Sequence, residues 1–64
     1  MRWEPKFGGW VLRVSFIEPC SGYRFAGLVY PLAKGRWLAE VFDRDLAEAF
    51  DSEREARKFV EERI

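Results

Sequence analysis

The sequence has no histidine and a single cysteine among its 64 residues. Without histidine, it lacks the side chain that most often shuttles protons in enzymes near neutral pH. Cys20 alone can form no internal disulfide and cannot build a zinc site. A lone cysteine is typical of a reducing cytoplasm, which is the location that we expect. The composition therefore predicts a protein that is not an enzyme and that holds no metal, cofactor or small-molecule substrate.

The sequence also lacks a long apolar run and a strong net charge. No segment approaches the ~20 apolar residues of a membrane-spanning helix, so we expect no membrane partner. The net charge is zero, with six cations and three anions in residues 1–42 and five cations and eight anions in residues 43–64. This mild asymmetry is too weak for the electrostatic footprint of a dedicated DNA-binding protein.

What the sequence does have is aromatic residues: six Phe, three Trp and two Tyr. A chain of this length is one small domain of marginal stability, which we place at residues 1–64. Each buried aromatic side chain removes about 150–250 Å² from water. Good packing or association must therefore supply the stability that disulfides and metals supply in other small proteins.

Alternation of apolar residues predicts three strands, at residues 10–17, 23–30 and 36–42. Glycine and proline mark turns at residues 18–22 and 31–35, and such short loops favour an antiparallel meander. Residues 1–9 are predicted to be an N-terminal arm, and residues 10–42 the meander.

The last third of the sequence changes to a helical period. Ser52 and Glu55 form a capping-box pattern, and apolar residues then recur on one side of a predicted helix over residues 53–63, within a C-terminal segment 52–64. The crossover at residues 43–51 is ambiguous between a short helical turn at 43–50, capped by Asp43, and irregular chain, and we prefer the turn. The expected fold is α+β, a three-stranded antiparallel meander with a C-terminal helix packed on one face.

The stretch from Ser21 to Leu28 partly matches the RNP1 strand of RNA-recognition motifs, in which exposed aromatic residues stack on bases. Only Gly22, Tyr23 and Phe25 fit that pattern. A four-residue loop at 18–21 would pair Phe16 with Tyr23, and this register would place Tyr23 and Phe25 beneath the helix. The sequence therefore predicts that these two aromatics belong to the core.

The same register predicts that the other face of the sheet is not covered by the helix. That face would carry Val11, Arg13, Ser15, Arg24, Ala26, Leu28, Tyr30, Arg36, Leu38, Glu40 and Phe42. Its mixture of arginine with apolar side chains is typical of binding surfaces. The predicted partner-binding residues are Arg13, Arg24, Leu28, Tyr30, Arg36 and Leu38. The alternative is that the arm, with Trp3 and Phe7, or the segment 43–51 folds over this face.

The C-terminal pattern Ala-x-x-Phe-x-Ser-x-x-Glu-Ala resembles the tail of many small phage and prophage proteins. It is formed by Ala47, Phe50, Ser52, Glu55 and Ala56. Those proteins have three strands, a tryptophan in the last strand, where Trp37 stands here, and then this helix entry. The resemblance covers about half of the chain and implies a β-β-β-α fold, but it transfers no site residue. It also implies a setting, since small phage proteins commonly act by binding one host or phage protein.

The function expected from the sequence is a non-enzymatic protein-binding module of phage type, such as an anti-CRISPR inhibitor of a host defence complex. One alternative is association with nucleic acid through a basic sheet face that carries Arg13, Arg24, Lys34 and Arg36. Another is a purely structural homodimer.

Overall fold

The computed structural model of the protein describes residues 2–16 and 22–64. Its elements are the strands β1 (Arg2–Lys6), β2 (Gly9–Phe16), β3 (Gly22–Pro31), β4 (Trp37–Val41) and β5 (Leu46–Phe50), the helix α1 (Glu53–Glu61), and two short 3₁₀ helices, Ala33–Gly35 and Phe42–Arg44. The strands form one antiparallel sheet in the order β1-β2-β3-β4-β5. The predicted α+β class with a meander and a C-terminal helix is confirmed, but the sheet has five strands instead of three.

The first additional strand comes from the segment that was predicted to be an arm. Residues 2–6 pair with β2 from Arg2 opposite Arg13 to Lys6 opposite Gly9. The connection is a two-residue hairpin in which Phe7 and Gly8 both have positive φ, at 53° and 76°. Two positive φ angles match the right-handed twist of the flanking strands, so they favour a tight hairpin.

The second additional strand comes from the crossover. The 3₁₀ helix Phe42–Arg44 is the single helical turn of this region, and Asp45 ends it in the left-handed conformation at φ 50°. The chain then reverses into β5, which pairs with β4 from Leu46 opposite Val41 to Phe50 opposite Trp37. The predicted helical turn over residues 43–50 is therefore wrong for residues 46–50. Leu-Ala-Glu-Ala-Phe has good intrinsic helix propensity, and pairing with β4 overrides it.

The helix begins where the capping pattern predicted. Ser52 is the N-cap, and its Oγ accepts a hydrogen bond of 3.2 Å from the backbone N–H of Glu55. The same hydroxyl donates to the Glu55 carboxylate at 3.2 Å, so serine and glutamate hold each other in place. The helix ends at Glu61, close to the predicted end at residue 63.

One face of the sheet packs against the helix and forms the core. The buried cluster contains Leu12, Val29, Ala39, Val41, Ala56, Phe59 and Val60, and Trp3, Trp37 and Phe50 pack around it. Gly27 lets the helix approach, because a Cβ at this position would lie 2.5 Å from Val60 Cγ1 and 2.7 Å from the carbonyl oxygen of Glu40.

A β-bulge divides the long β2–β3 hairpin into two registers. Leu12 lies opposite Gly27, which is the register that a Phe16–Tyr23 pair would continue, but Arg13 lies opposite Phe25, so Ala26 has no partner in β2. Beyond the bulge, Tyr23 pairs with Ser15 and Gly22 pairs with Phe16. The predicted pairing of Phe16 with Tyr23 is therefore wrong. The predicted loop at 18–21, with Cys20, lies outside the described residues.

The helix is much shorter than the molecule. A helix of 9 residues spans about 14 Å, whereas the longest extent of the protein is 43 Å. Consequently α1 covers only part of one face of the sheet. Within the described part of the chain, no helix has the length and apolar character needed to cross a membrane.

Candidate binding face

The face of the sheet opposite the helix is the candidate site, and we call it the open face. Paired residues of antiparallel strands point to the same side, so the register assigns every side chain to one face. The open face carries Arg2, Glu4, Lys6, Val11, Arg13, Ser15, Tyr23, Phe25, Leu28, Tyr30, Leu38, Glu40, Ala47 and Ala49.

Neither of the two predicted covers lies over the open face. Residues 2–6 extend the sheet at one edge as β1, and residues 46–50 extend it at the other edge as β5. Trp3, which was expected to fold over this face with the arm, instead packs against the core on the helix side. Among residues 2–16 and 22–64, therefore, no segment covers the open face.

A continuous row of aromatic and cationic side chains occupies the β1–β3 half of the open face. We call it the aromatic–cation stripe, and it consists of Lys6, Phe7, Arg13, Tyr23 and Phe25. The Lys6 ammonium lies 5.5 Å from the Phe7 ring centroid and 5.2 Å from that of Phe25. The Phe25 and Tyr23 rings meet edge to face at 5.5 Å, and the Arg13 guanidinium lies 4.9 Å from the Tyr23 ring. All these distances are within the range of cation–π and aromatic contacts.

The charges in the stripe are unevenly compensated. Arg13 Nε lies 3.0 Å from Glu4 Oε2, although the two groups are not aligned as a hydrogen bond. Lys6 has no carboxylate within ion-pair distance among the described residues. Since Arg2 also faces this side from β1, this half of the open face is net positive.

The most exposed large hydrophobic side chain of the described residues lies at the end of the stripe. Phe7 is 87% exposed, and its φ of 53° is unfavourable for a residue with a β-carbon. Tyr23, at the other end, is 57% exposed. Aromatic side chains that are this exposed contribute little to the stability of the fold. A group of them on one surface is typical of a binding site.

The other half of the open face has a different chemistry. We call it the apolar half, and it consists of Leu28, Tyr30, Leu38, Ala47 and Ala49. These side chains are partly or fully exposed, and Glu40 is the charged residue among them. This half ends at β5, an edge strand with one charged residue and no proline.

Four of the six residues predicted to bind a partner lie on the open face. Arg13 belongs to the aromatic–cation stripe, and Leu28, Tyr30 and Leu38 belong to the apolar half.

The placement predicted for the other two residues is wrong. Arg24 lies between Tyr23 and Phe25 in the strand, so it points away from the open face, and its Nη1 lies 2.7 Å from Asp43 Oδ2. Arg36 precedes β4 in the connection, where Nε lies 3.4 Å from the exposed carboxylate of Asp51.

Three further residues were assigned to the basic or open face and do not lie on it. Lys34 is part of the 3₁₀ helix between β3 and β4, with a φ of 63°. Ala26 is fully buried at the bulge, and Phe42 belongs to the second 3₁₀ helix. The sequence-derived basic surface of Arg13, Arg24, Lys34 and Arg36 therefore does not exist as one patch.

Two tryptophans join the helix-side face of the sheet to charged residues of α1. Trp3 Nε1 donates to Glu61 at 2.7 Å, and Trp10 Nε1 donates to Glu53 at 3.3 Å. The Arg57 guanidinium lies 4.4 Å from the Trp10 ring and 5.4 Å from the Trp3 ring. This arrangement ties β1 and β2 to α1, so we assign it a structural role.

Sequence reasoning missed the residues that make the stripe distinctive: Lys6, Phe7, Tyr23 and Phe25. The partial RNP1 match did point to Tyr23 and Phe25, but the assumed register placed them in the core. For Phe7, the signal was an aromatic residue directly before Gly8-Gly9, a sequence that breaks regular structure.

The described residues offer no site for a metal ion, because within 2–16 and 22–64 no three carboxylate, cysteine or histidine side chains lie close enough together. No protein-family model, curated protein or solved structure matches this chain.

Proposed function

We propose that this chain is a non-enzymatic protein-binding module whose partner docks on the apolar half of the open face and along the edge strand β5. The contrast between the two edges of the sheet carries the proposal. At the β1 edge, Pro5 and three charged residues within five positions discourage another strand from pairing. At the β5 edge, Leu-Ala-Glu-Ala-Phe has no proline and a single charged residue, Glu48, which lies on the helix side of the sheet.

An edge of this kind suits a partner that adds an extended strand. Main-chain hydrogen bonds would then supply affinity, and alternate side chains would supply specificity. The partner strand would lie beside Ala47 and Ala49, whose small side chains leave the neighbouring Leu38 accessible. Partly exposed Leu28 and Tyr30 continue this surface toward the centre of the sheet.

A phage-type inhibitor of a host defence complex is one role that such a module would serve. That role rests on the sequence resemblance alone. The edge supports protein binding in general and does not select among partners.

The test is a charge placed on the edge. Ala47→Lys leaves the fold intact because Ala47 is exposed, but it adds the residue that natural proteins use to block edges. Ala33→Lys is the matched control, since Ala33 is also exposed and lies in the 3₁₀ helix between β3 and β4, outside the edge strand β5. Affinity capture from host lysate, quantified by mass spectrometry, is carried out with the parent and both variants.

We expect one protein to be captured by the parent and by Ala33→Lys and to be lost with Ala47→Lys. Equal capture by all three chains would contradict the proposal. Sedimentation velocity checks the structural homodimer, since a dimeric parent and a monomeric Ala47→Lys variant would assign the edge to self-association instead.

A further inference from the structure

We propose that the aromatic–cation stripe is a second binding site, separate from the β5 edge, and that its ligand is single-stranded nucleic acid. The shared chemistry of single-stranded RNA and DNA is a row of unstacked bases on an anionic phosphodiester backbone. The stripe offers a complementary set of groups on one uninterrupted surface.

The register between β2 and β3 determines which side of the sheet the aromatic residues of β3 face. The bulge at Arg13 places Tyr23 and Phe25 on the open face, two residues apart on the central strand β3. Proteins that bind single strands on a sheet stack two or three bases on aromatic side chains placed in this way. The partial RNP1 match of this stretch thus coincides with an exposed position of its aromatics.

The aromatic–cation stripe also supplies several planar groups on which bases can stack. Tyr23 is 57% exposed and Phe7 is 87% exposed, and the partly exposed ring of Phe25 lies between them in the chain of contacts. The Arg13 guanidinium beside Tyr23 is itself a planar group on which a base can stack. A protein partner needs no such succession of planar groups, whereas successive bases do.

The charges of this half of the open face are complementary to a phosphodiester backbone. Arg2, Lys6 and Arg13 face this side, and Glu4 is the one carboxylate among them. The exposed Lys6 ammonium rests on aromatic rings without an ion pair in the described part of the chain, so its flexible stem can carry it to a phosphate. The apolar half, in contrast, carries the carboxylate of Glu40 and no cation.

These groups also limit the strength of the electrostatic contribution. Each phosphate contact with a single strand contributes about −0.7 to the slope of log K against log salt. Three cations therefore give a slope of about −2. A larger slope would require cations outside the stripe.

The experiment measures fluorescence anisotropy of labelled dT15 and rU15 with the whole chain, at low salt and over a salt series. We expect saturable binding with a slope of about −2, and the two oligonucleotides distinguish DNA from RNA. Tyr23→Leu keeps apolar bulk but removes the planar ring, so binding should weaken about 5- to 150-fold, while Tyr23→Phe should bind like the parent. Lys6→Gln should reduce the slope by about 0.7.

Phe42→Leu is the matched control, because Phe42 is an exposed aromatic outside the open face and should not affect binding. Circular dichroism and melting curves confirm that each variant is folded. The site is refuted if dT15 and rU15 both fail to bind more tightly than about 10⁻⁴ M, or if Tyr23→Leu binds like the parent. Polyglutamate that binds the parent with the same dependence on Tyr23 would assign the stripe to an acidic protein partner and overturn the proposal.

Each of the two proposals can be refuted without the other. Ala47→Lys should leave oligonucleotide binding unchanged, and Tyr23→Leu should leave capture of the partner protein unchanged.

Discussion

At the scale of single residues, Phe7 is a position at which the proposed binding and the stability of the fold would oppose each other. Its backbone is left-handed, which costs a residue with a β-carbon about 1–2 kcal/mol, and its ring is almost fully exposed. The exposed cation–π contact with Lys6 stabilises the folded state by only about 0.5–1 kcal/mol. Asparagine or glycine would suit this hairpin position better than phenylalanine.

Phe7→Asn should therefore raise the free energy of unfolding by about 0.5–1 kcal/mol, because asparagine adopts positive φ more readily. Urea denaturation measures the change. The same substitution should weaken oligonucleotide binding, since it removes one stacking ring.

Phe7→Ala is the control, because it removes the ring and keeps a β-carbon at positive φ, so it should not stabilise the chain. A clear loss of stability in Phe7→Asn would mean that the Phe7 ring contributes to the fold and is not held for a ligand.

At the scale of elements, the approach of α1 to the sheet depends on Gly27. A methyl group there would meet both a Val60 methyl and the backbone carbonyl of Glu40, and the backbone cannot move aside easily. Overpacking of this kind costs about 1–3 kcal/mol, whereas replacing glycine gains about 0.4–1 kcal/mol through the unfolded state. The steric clash should outweigh the gain from the unfolded state, so the substitution should be destabilising.

We therefore expect Gly27→Ala to lower the free energy of unfolding by about 1–2 kcal/mol. Gly22→Ala is a matched control in the same strand, because nothing lies within 4 Å of the added Cβ. That variant should be neutral or slightly more stable in thermal and urea denaturation. If both variants behave alike, the helix does not approach β3 as closely as described.

The individual strands and the helix also show which features could be predicted from the sequence and which could not. The capping box, the helical period and the alternation in β2, β3 and β4 each depend on local residue types, and all were predicted. β1 was missed because Pro5 argues against a strand and because Phe-Gly is not one of the residue pairs that usually predict a two-residue hairpin. β5 was missed because its residues favour a helix in isolation.

The bulge had a larger effect on the site than on the fold. Hydrophobic patterning assumes one constant register, and it assigned Tyr23 and Phe25 to the core. One extra residue in β3 reverses that assignment for Tyr23, Arg24 and Phe25, whereas the faces of Arg13 and Ser15 in β2 are unchanged. The stripe could therefore not be predicted, although each of its residues was visible in the sequence.

At the scale of the whole molecule, α1 is what turns the sheet into a folded domain. Its Ala56, Phe59 and Val60 are buried against the apolar face, and in a chain of this size little else can replace them. A sheet with one uncovered apolar face has no core of its own.

A chain that ends at Asp51 should consequently be unfolded or aggregated. Circular dichroism and size-exclusion chromatography would show the loss of cooperative melting. Removal of Ile64 alone is the control, since that side chain is exposed and the helix ends at Glu61. A monomeric, cooperatively melting chain without residues 52–64 would show that the sheet is stable alone.

The order of the strands has a consequence for synthesis in the cell. Because each strand of this sheet pairs only with strands next to it in the sequence, hairpins can close as soon as they leave the ribosome. The helix that covers their apolar face is made after all of them. Until residues 52–64 have also left the ribosome and docked, any hairpins that have already paired offer their apolar face to chaperones or to other chains.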